Sequence, residues 1–152
     1  MEDIQYNNKG YYLIGAGGLS RELESWTTKS EFSKNNELLG FIDDNSDVLE
    51  KYPSDYKILD SFFNGEIWKG NNVLIGIASP VIKQKFHKIL IENKSIILSF
   101  IFDNVLVGKF SYLGEGIVCC PNVIISCNVK IGNLVIINSG TQIGHDVVVG
   151  DY

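Results

Sequence analysis

A chain of 152 residues with 45% hydrophobic and 20% charged residues has the make-up of an ordinary globular protein and enough apolar material for a core. Its formal net charge is −5 at pH 7 and no basic run stands out, which argues against nucleic acid as the main partner, because phosphate binding needs clustered Lys and Arg. No apolar run approaches a bilayer span. The opening Met1-Glu2-Asp3-Ile4-Gln5 lacks the basic-then-apolar pattern of a signal peptide. Cys119, Cys120 and Cys127 fit neither a zinc spacing nor a disulfide framework. The expected location is cytoplasmic, with no membrane insertion and no bound metal.

Residues 11 to 100 alternate strand-like and helix-like segments. The apolar run Tyr11-Tyr12-Leu13-Ile14 ends in Gly15-Ala16-Gly17-Gly18, a strand followed by a glycine-rich turn. Ser20 is expected to cap a helix that carries Leu23 and Trp26 on one face. Leu38 to Ile42 reads as a second buried strand, closed by Asp43-Asp44-Asn45. Residues 45 to 70 are polar and mixed, with turn signals at Pro53 and Asn64-Gly65. Val73 to Ile77 is a third strand, and Ser79-Pro80 opens a second helix with Ser at its cap and Pro in its first turn. Ile82, Phe86, Ile89 and Leu90 follow helical spacing there, while Lys83 and Lys85 are expected on its solvated face and His87 as a structural or exposed residue. Ile96 to Phe100 is a fourth strand. Trp26 and Trp68 read as packing residues. Strand–helix alternation of this kind implies a parallel sheet with helices on its faces.

From Val105 the helical signal gives way to a period of six. Val107, Leu113, Cys119, Ile125, Ile131, Ile137, Ile143 and Val149 stand six apart, and Gly108, Gly114, Gly132, Gly144 and Gly150 follow several of them. The positions two earlier, from Val105 to Val147, are mostly small or β-branched. Two inward residues in every six, with a glycine allowing a tight corner, is the signature of a parallel β-helix, in which each residue must fit over its equivalent one coil below. An antiparallel sandwich would alternate with a period of two and would not lock glycine to a sixth position.

The order of these motifs resembles one family. A Gly-Ala-Gly-Gly turn follows the first strand, Phe41-Ile42-Asp43-Asp44 closes the second, and Ile75-Gly76-x-x-x-Pro80 joins the third to its helix. The repeats then include Asn138-Ser139-Gly140-Thr141-Gln142-Ile143-Gly144-His145-Asp146. This is similar to the bacterial sugar acetyltransferases of the hexapeptide-repeat kind, which include sialic acid O-acetyltransferases and the N-acetyltransferases of nucleotide-activated amino sugars. The resemblance implies an α/β protein: a small Rossmann-like parallel-sheet domain over residues 1–100 that binds a sugar or nucleotide-sugar, then a left-handed β-helix over residues 101–152. It implies acetyl-CoA as co-substrate, held in the groove between neighbouring β-helices of a homotrimer, and a place in surface glycan biosynthesis. It implies His145 as general base, Asp146 as the residue orienting its imidazole, and Asn138 lining the same site. It implies contacts from Asp43 and Asp44 to the base or ribose of a nucleotide. Leu19 stands where many members carry His. Members continue with further coils beyond the position of Tyr152, so the chain is expected to be shortened at its carboxyl end and its β-helix to be incomplete.

The chemistry fits these residue types. A hydroxyl or amine attacking a thioester must lose a proton, and a His with a near-neutral pKa can take it. His145 falls between the inward Ile143 and Val147 and is expected to point outward. Gly15, Gly17 and Gly18 would let backbone approach a phosphate at a helix N-terminus, although Ser20 stands where a full dinucleotide pattern has its third glycine. Two other readings stay open: a module that binds NAD through the glycine turn, and a trimer-forming module without catalysis.

Overall fold

A computed structural model describes residues 9–152. The stretch that carries the signal-peptide reading lies outside them. Five strands form one wholly parallel sheet: β1 (Gly10–Ile14), β2 (Glu37–Ile42), β3 (Ile58–Asp60), β4 (Asn72–Ile75) and β5 (Ile96–Ile97), in the order β3-β2-β1-β4-β5. Leu13, Ile14, Phe41, Ile42, Val73 and Leu74 are fully buried, as expected of parallel strands covered on both faces. Helix α1 (Gly18–Thr27) follows β1 and helix α2 (Pro80–Glu92) follows β4. The chain moves outward from β1 to β3 and then returns to β4 beside β1, so the direction of winding reverses between β1 and β4.

The sheet half differs from expectation first at Ser20, at β3 and at the fourth strand. Ser20 is not the cap of α1. Gly17 holds that position with no side-chain cap, and Ser20 is buried in the first turn, its Oγ donating to the Gly76 carbonyl at 3.0 Å. A Cβ at Gly76 would lie 2.1 Å from that Oγ, so Gly76 is glycine because the turn after β4 presses against α1. The short edge strand β3 lies inside the segment that reads as polar and mixed; only Ile58, Leu59 and Asp60 extend there. Finally, the expected fourth strand is two. Ile96–Ile97 closes the sheet, while β6 (Phe100–Ile101) pairs with Val118–Cys119 of the repeats and opens the β-helix. By contrast, α2 starts as expected, with Ser79 Oγ accepting from the Ile82 amide and Pro80 at the first position.

The repeats form strands β7 (Leu106–Val107), β8 (Tyr112–Leu113), β9 (Val118–Cys119), β10 (Ile124–Ile125), β11 (Lys130–Ile131), β12 (Ile136–Ile137), β13 (Gln142–Ile143) and β14 (Val148–Val149). They stack as three parallel ladders, β6-β9-β12, β7-β10-β13 and β8-β11-β14, each step joining residues eighteen apart, as in Leu106, Ile124 and Gln142. Ile117, Cys119, Val123, Ile125, Val129, Ile131, Val135 and Ile137 fill the interior. These are the two inward series of the six-residue period.

The glycines do a different job from the one the pattern suggests. The corners are made by a residue with positive φ at every sixth position: Phe110, Gly116, Asn122, Asn128, Leu134, Gly140, Asp146 and Tyr152, all between 56° and 74°. Gly108, Gly114 and Gly132 are not in that series. A Cβ on them would meet the backbone of the next coil at 2.5 Å (Cys127 N), 2.6 Å (Gly132 C) and 2.7 Å (Gly150 C) respectively. They are glycine because neighbouring coils approach too closely for a side chain.

Sheet and β-helix share a core. Leu13 of β1, Leu23 of α1 and Leu74 of β4 cluster with Phe100, Val118 and Cys120. On the other face of the sheet, Ile14, Val73 and Ile75 pack with Phe86 and Leu90 of α2. Lys83 ties α2 to the β-helix. It is not on the solvated face: it is 2% exposed, and its Nζ donates to the Leu134 carbonyl at 2.7 Å. Burial pushes its pKa below the usual lysine value.

Two outcomes follow. Gly132→Ala should lower unfolding free energy by about 1–3 kcal/mol, the usual cost of forcing a group into packed structure. Gly144→Ala, whose Cβ would meet nothing within 4 Å, should stay within about 0.5 kcal/mol; denaturant unfolding of both compares them. For Lys83, the unfolded chain holds its proton to higher pH than the folded one. Stability contributed at this site therefore rises with pH from the folded-state pKa up to about 10.5. The unfolding free energy of the wild type minus that of Lys83→Met should be flat below that window and climb through it.

Candidate active site

The glycine turn, the end of β2 and the start of α2 enclose a cleft of about 400 Å³ at the carboxyl ends of β1, β2 and β4. Its walls include Gly15, Gly17, Gly18, Asp43 and Asp44, five of the residues singled out in the sequence, together with Ile42, Phe62, Ile77, Ile82 and Phe86. This is where open parallel sheets bind ligands, at the reversal of winding.

Each expected residue has a local reason for its place. Gly15 has φ +90, and a Cβ there would also sit 3.1 Å from Ile77. Gly17 and Gly18 meet no protein atom closer than 4.0 Å from a built Cβ, so their backbone faces open space. Asp43 is partly engaged already: Oδ2 accepts from the Ala16 amide at 2.7 Å and Oδ1 from the Asn45 amide at 2.9 Å. The first of these bonds clamps the glycine turn to the end of β2. Asp44 Oδ1 accepts from Ser61 Oγ at 2.5 Å and from the amides of Phe62 and Phe63 at 3.0 and 3.1 Å, which folds the segment after β3 against the cleft. Both carboxylates thus hold the walls together as well as lining the cleft.

The structure adds residues that the sequence did not single out. Phe62 stacks on Phe86 with ring centres 3.8 Å apart and on Trp68 at 4.7 Å, giving the cleft an aromatic floor. Trp68 is buried, as expected of a packing residue. Arg21 extends beside Gly18, its guanidinium 4.0 Å from a Cβ built there and 3.7 Å above the ring of Tyr52. It is a cation at the mouth of the turn, held by an aromatic face. In the sequence Arg21 is one more polar residue of a helical stretch, and Tyr52 lies in a segment without periodicity. Lys85 rests over the Phe63 ring at 4.8 Å, and His87 Nδ1 lies 3.1 Å from the Tyr152 hydroxyl.

The second group lies on the β-helix. His145 and Asp146 occupy the corner after β13 and point outward, with side chains 76% and 66% exposed. His145 Nδ1 lies 2.6 Å from Asp146 Oδ2. The hydrogen bond from His145 holds the Asp146 carboxyl below its ordinary range, and the Asn128 side chain acts in the same direction. An ionised carboxylate only accepts, so in the neutral imidazole the proton is on Nδ1 and Nε2 carries the free lone pair. Asn138 is exposed after β12, and its carbonyl accepts from the Thr141 amide. Among the described residues no hydrogen bond joins Asn138 to His145, and none of the three lines the cleft.

No sequence-family profile matches the chain, and no curated protein matches it. Solved structures do. The acetyltransferase domain of PglB from Neisseria gonorrhoeae aligns over 95% of this chain and 69% of its own, with a TM-score of 0.80 at 15% identity, and it has also been solved with acetyl coenzyme A. WeeI from Acinetobacter baumannii aligns over 92% of this chain and 66% of its own, with a TM-score of 0.75 at 24% identity. PerB from Caulobacter crescentus, in complex with CoA and GDP-perosamine, aligns over 93% and 63%, with a TM-score of 0.69 at 19% identity. The chain has the fold of the left-handed β-helix sugar acetyltransferases. The alignment spans the sheet and the coils together and about two thirds of each neighbour. No helix among the described residues is long and apolar enough to cross a membrane.

The clamp at Asp43 is open to direct test. Asp43→Ala leaves the Ala16 N–H without its acceptor and should cost about 1–3 kcal/mol of stability. Amide exchange should accelerate at Ala16 ahead of the sheet amides of Leu13 and Leu74, which report on the core.

Proposed function

We propose that this chain transfers an acetyl group from acetyl-CoA to an amino or hydroxyl group of a nucleotide-activated sugar. The observation that carries this reading is the shared fold, sheet plus coils, with neighbours solved in complex with acetyl-CoA, CoA and GDP-perosamine. The sheet order, with a glycine turn after its central strand, supports reading residues 1–100 as a Rossmann-like nucleotide-sugar domain and residues 101–152 as the β-helix. The cleft fits such a ligand in character. Backbone of the α1 N-terminus would face its phosphates, with Arg21 outside the cleft wall beside Gly18, and the Phe62–Phe86 floor and Asp43–Asp44 would face the nucleoside.

In the proposed mechanism the acceptor nitrogen or oxygen attacks the thioester carbonyl. Nε2 of His145 takes the proton that the acceptor loses, and Asp146, on Nδ1, stabilises the imidazolium that forms. The tetrahedral intermediate collapses by breaking its C–S bond, and the imidazolium returns the proton to the departing CoA sulfur. The outward placement of His145 suits a base at a groove between subunits, and exposed apolar residues on two ladder faces, Leu106, Tyr112 and Val148, support a homotrimer. Synthesis of a surface glycan in the cytoplasm is the setting that such a reaction implies.

The test measures CoA thiol release with acetyl-CoA and a panel of nucleotide amino and hydroxy sugars. One of them should support turnover, and His145→Ala should reduce it by about 10²–10⁴. The same sugar at about a hundred times its Kd should add roughly 2.7 kcal/mol to unfolding free energy, and Arg21→Ala should weaken that stabilisation. Stabilisation by NAD instead, with no thiol release, would replace this reading with nucleotide binding alone.

A further inference from the structure

The sheet has a second cavity, at the opposite end from the cleft. Its volume is about 280 Å³, and it lies against the amino ends of β1 and β2, the carboxyl end of α1 and the short helical turn Glu31–Lys34. Tyr11, Thr27, Thr28, Ser33 and Asn36 contribute to its wall, together with Glu37 and Lys9. None of these residues lines the cleft, and the function proposed above uses none of them.

The chemistry of this wall is one-sided. A hydroxyl has one hydrogen to give and two lone pairs to receive with. Here the hydrogens are already spent on the protein. Thr27 Oγ1 donates to the Leu23 carbonyl at 2.7 Å and Thr28 Oγ1 to the Glu24 carbonyl at 2.6 Å, the backward bond that Thr makes along a helix. Ser33 Oγ donates to the Ser30 carbonyl at 2.8 Å, and Asn36 Nδ2 to the Phe32 carbonyl at 3.0 Å. The Tyr11 hydroxyl donates to Thr27 Oγ1 at 2.7 Å, and burial pushes its pKa up to about 12, so it keeps that proton. These hydroxyls are left with lone pairs to offer. Among the described residues the Glu37 carboxylate makes no hydrogen bond or ion pair.

A wall of acceptors calls for a ligand that brings donors. A neutral polyol brings lone pairs with every hydrogen, and those would face the lone pairs of the wall. A primary ammonium brings three hydrogens and no lone pair, and Glu37 matches its charge. A divalent metal ion would need more carboxylate than Glu37 supplies, and no group of three or more His, Cys, Asp or Glu that could hold one occurs among the described residues. The volume falls just below the roughly 300–1,000 Å³ of sites for drug-sized ligands, which suits a smaller molecule.

We propose that this cavity binds a primary ammonium carried on a short organic body, with Glu37 as its counter-ion and the oxygens of Tyr11, Thr28 and Ser33 as acceptors. Lys9, exposed and the only Lys or Arg on the wall, opposes the ligand by charge.

The experiment titrates the chain with ethanolammonium chloride and follows its backbone amide shifts. Ethylene glycol, which puts a hydroxyl in place of the ammonium, and potassium chloride at equal ionic strength run beside it. The amides of Thr28, Asn36 and Glu37 should shift and saturate with ethanolammonium, while those of Gly17 and Gly18 at the cleft stay still. Ethylene glycol should bind about tenfold more weakly or worse, the usual worth of a hydrogen bond to a charged group. Glu37→Gln keeps the shape without the charge and should weaken ethanolammonium by a similar factor, and Lys9→Ala should tighten it. Both side chains are exposed, so neither change disturbs the core. Equal affinity for ethylene glycol, the same shifts with potassium chloride, an unchanged titration in Glu37→Gln, or no saturable shift at these amides each overturns the proposal. CoA thiol release does not enter these readings, so the site stands or falls apart from acetyl transfer.

Discussion

The constraint on which the carboxyl-terminal half depends is the hydrogen bond between one coil and the next. Bonds such as Cys120 N–H to the Ile137 carbonyl at 2.9 Å, or Gly114 N–H to the Ile131 carbonyl at 2.9 Å, draw equivalent residues into direct contact at strand spacing, roughly 4.8 Å. Everything else in the repeat is a consequence. Inward positions must accept the same shape at every level, which the run Ile125, Ile131 and Ile137 satisfies. At Gly108, Gly114 and Gly132 a Cβ would run into the backbone of the next coil, so these positions admit no side chain. Corners turn through a left-handed residue, which is glycine or asparagine at positions 116, 122, 128 and 140, Leu134 where a side chain also enters the core, and Phe110, Asp146 and Tyr152 at the rest.

The amino-terminal sheet is not appended to this helix but grown against it. Val118, Cys120 and Ile136 form the surface on which Leu13 and Phe100 pack, so the first ladder is covered by the sheet domain and the other two ladders face outward. Lys83 adds a polar tie on the opposite side, its buried ammonium satisfied by one carbonyl of a corner. Helix α2 therefore touches both the cleft, through Ile82 and Phe86, and the β-helix, through Lys83. That places the cleft walls and the coils in one packed body.

Much of this is written in the sequence where the chemistry is periodic or local. The six-residue repeat identifies the coils and their inward residues, the Ser79-Pro80 step identifies the start of α2, and the glycine turn with Asp43 and Asp44 identifies the cleft. What escaped depends on contacts between distant segments. Ser20 has the composition of a cap, yet its partner is Gly76, fifty-six residues on. Lys83 sits in a polar-looking stretch of helix, and only the position of Leu134 makes it interior. β3 is three residues long and is a strand because β2 needs an edge partner, not because Ile58-Leu59-Asp60 is strongly extended by itself. The hexapeptide glycines were visible but their cause was not, since a period reveals that a position is special without revealing whether curvature or crowding makes it so.

The eighteen-residue coil also limits how such a gene can change length. A gain or loss of one or two residues within the coils breaks the stacking of every later position. A change of six preserves the inward pattern but turns every later side chain to the next edge of the prism, carrying His145 away from whatever stands opposite it. Only a change of eighteen returns each residue to its own edge, one level higher or lower. Length variation in this half of the protein is thus quantised, and the His145 corner moves along the axis in whole steps or leaves its edge altogether.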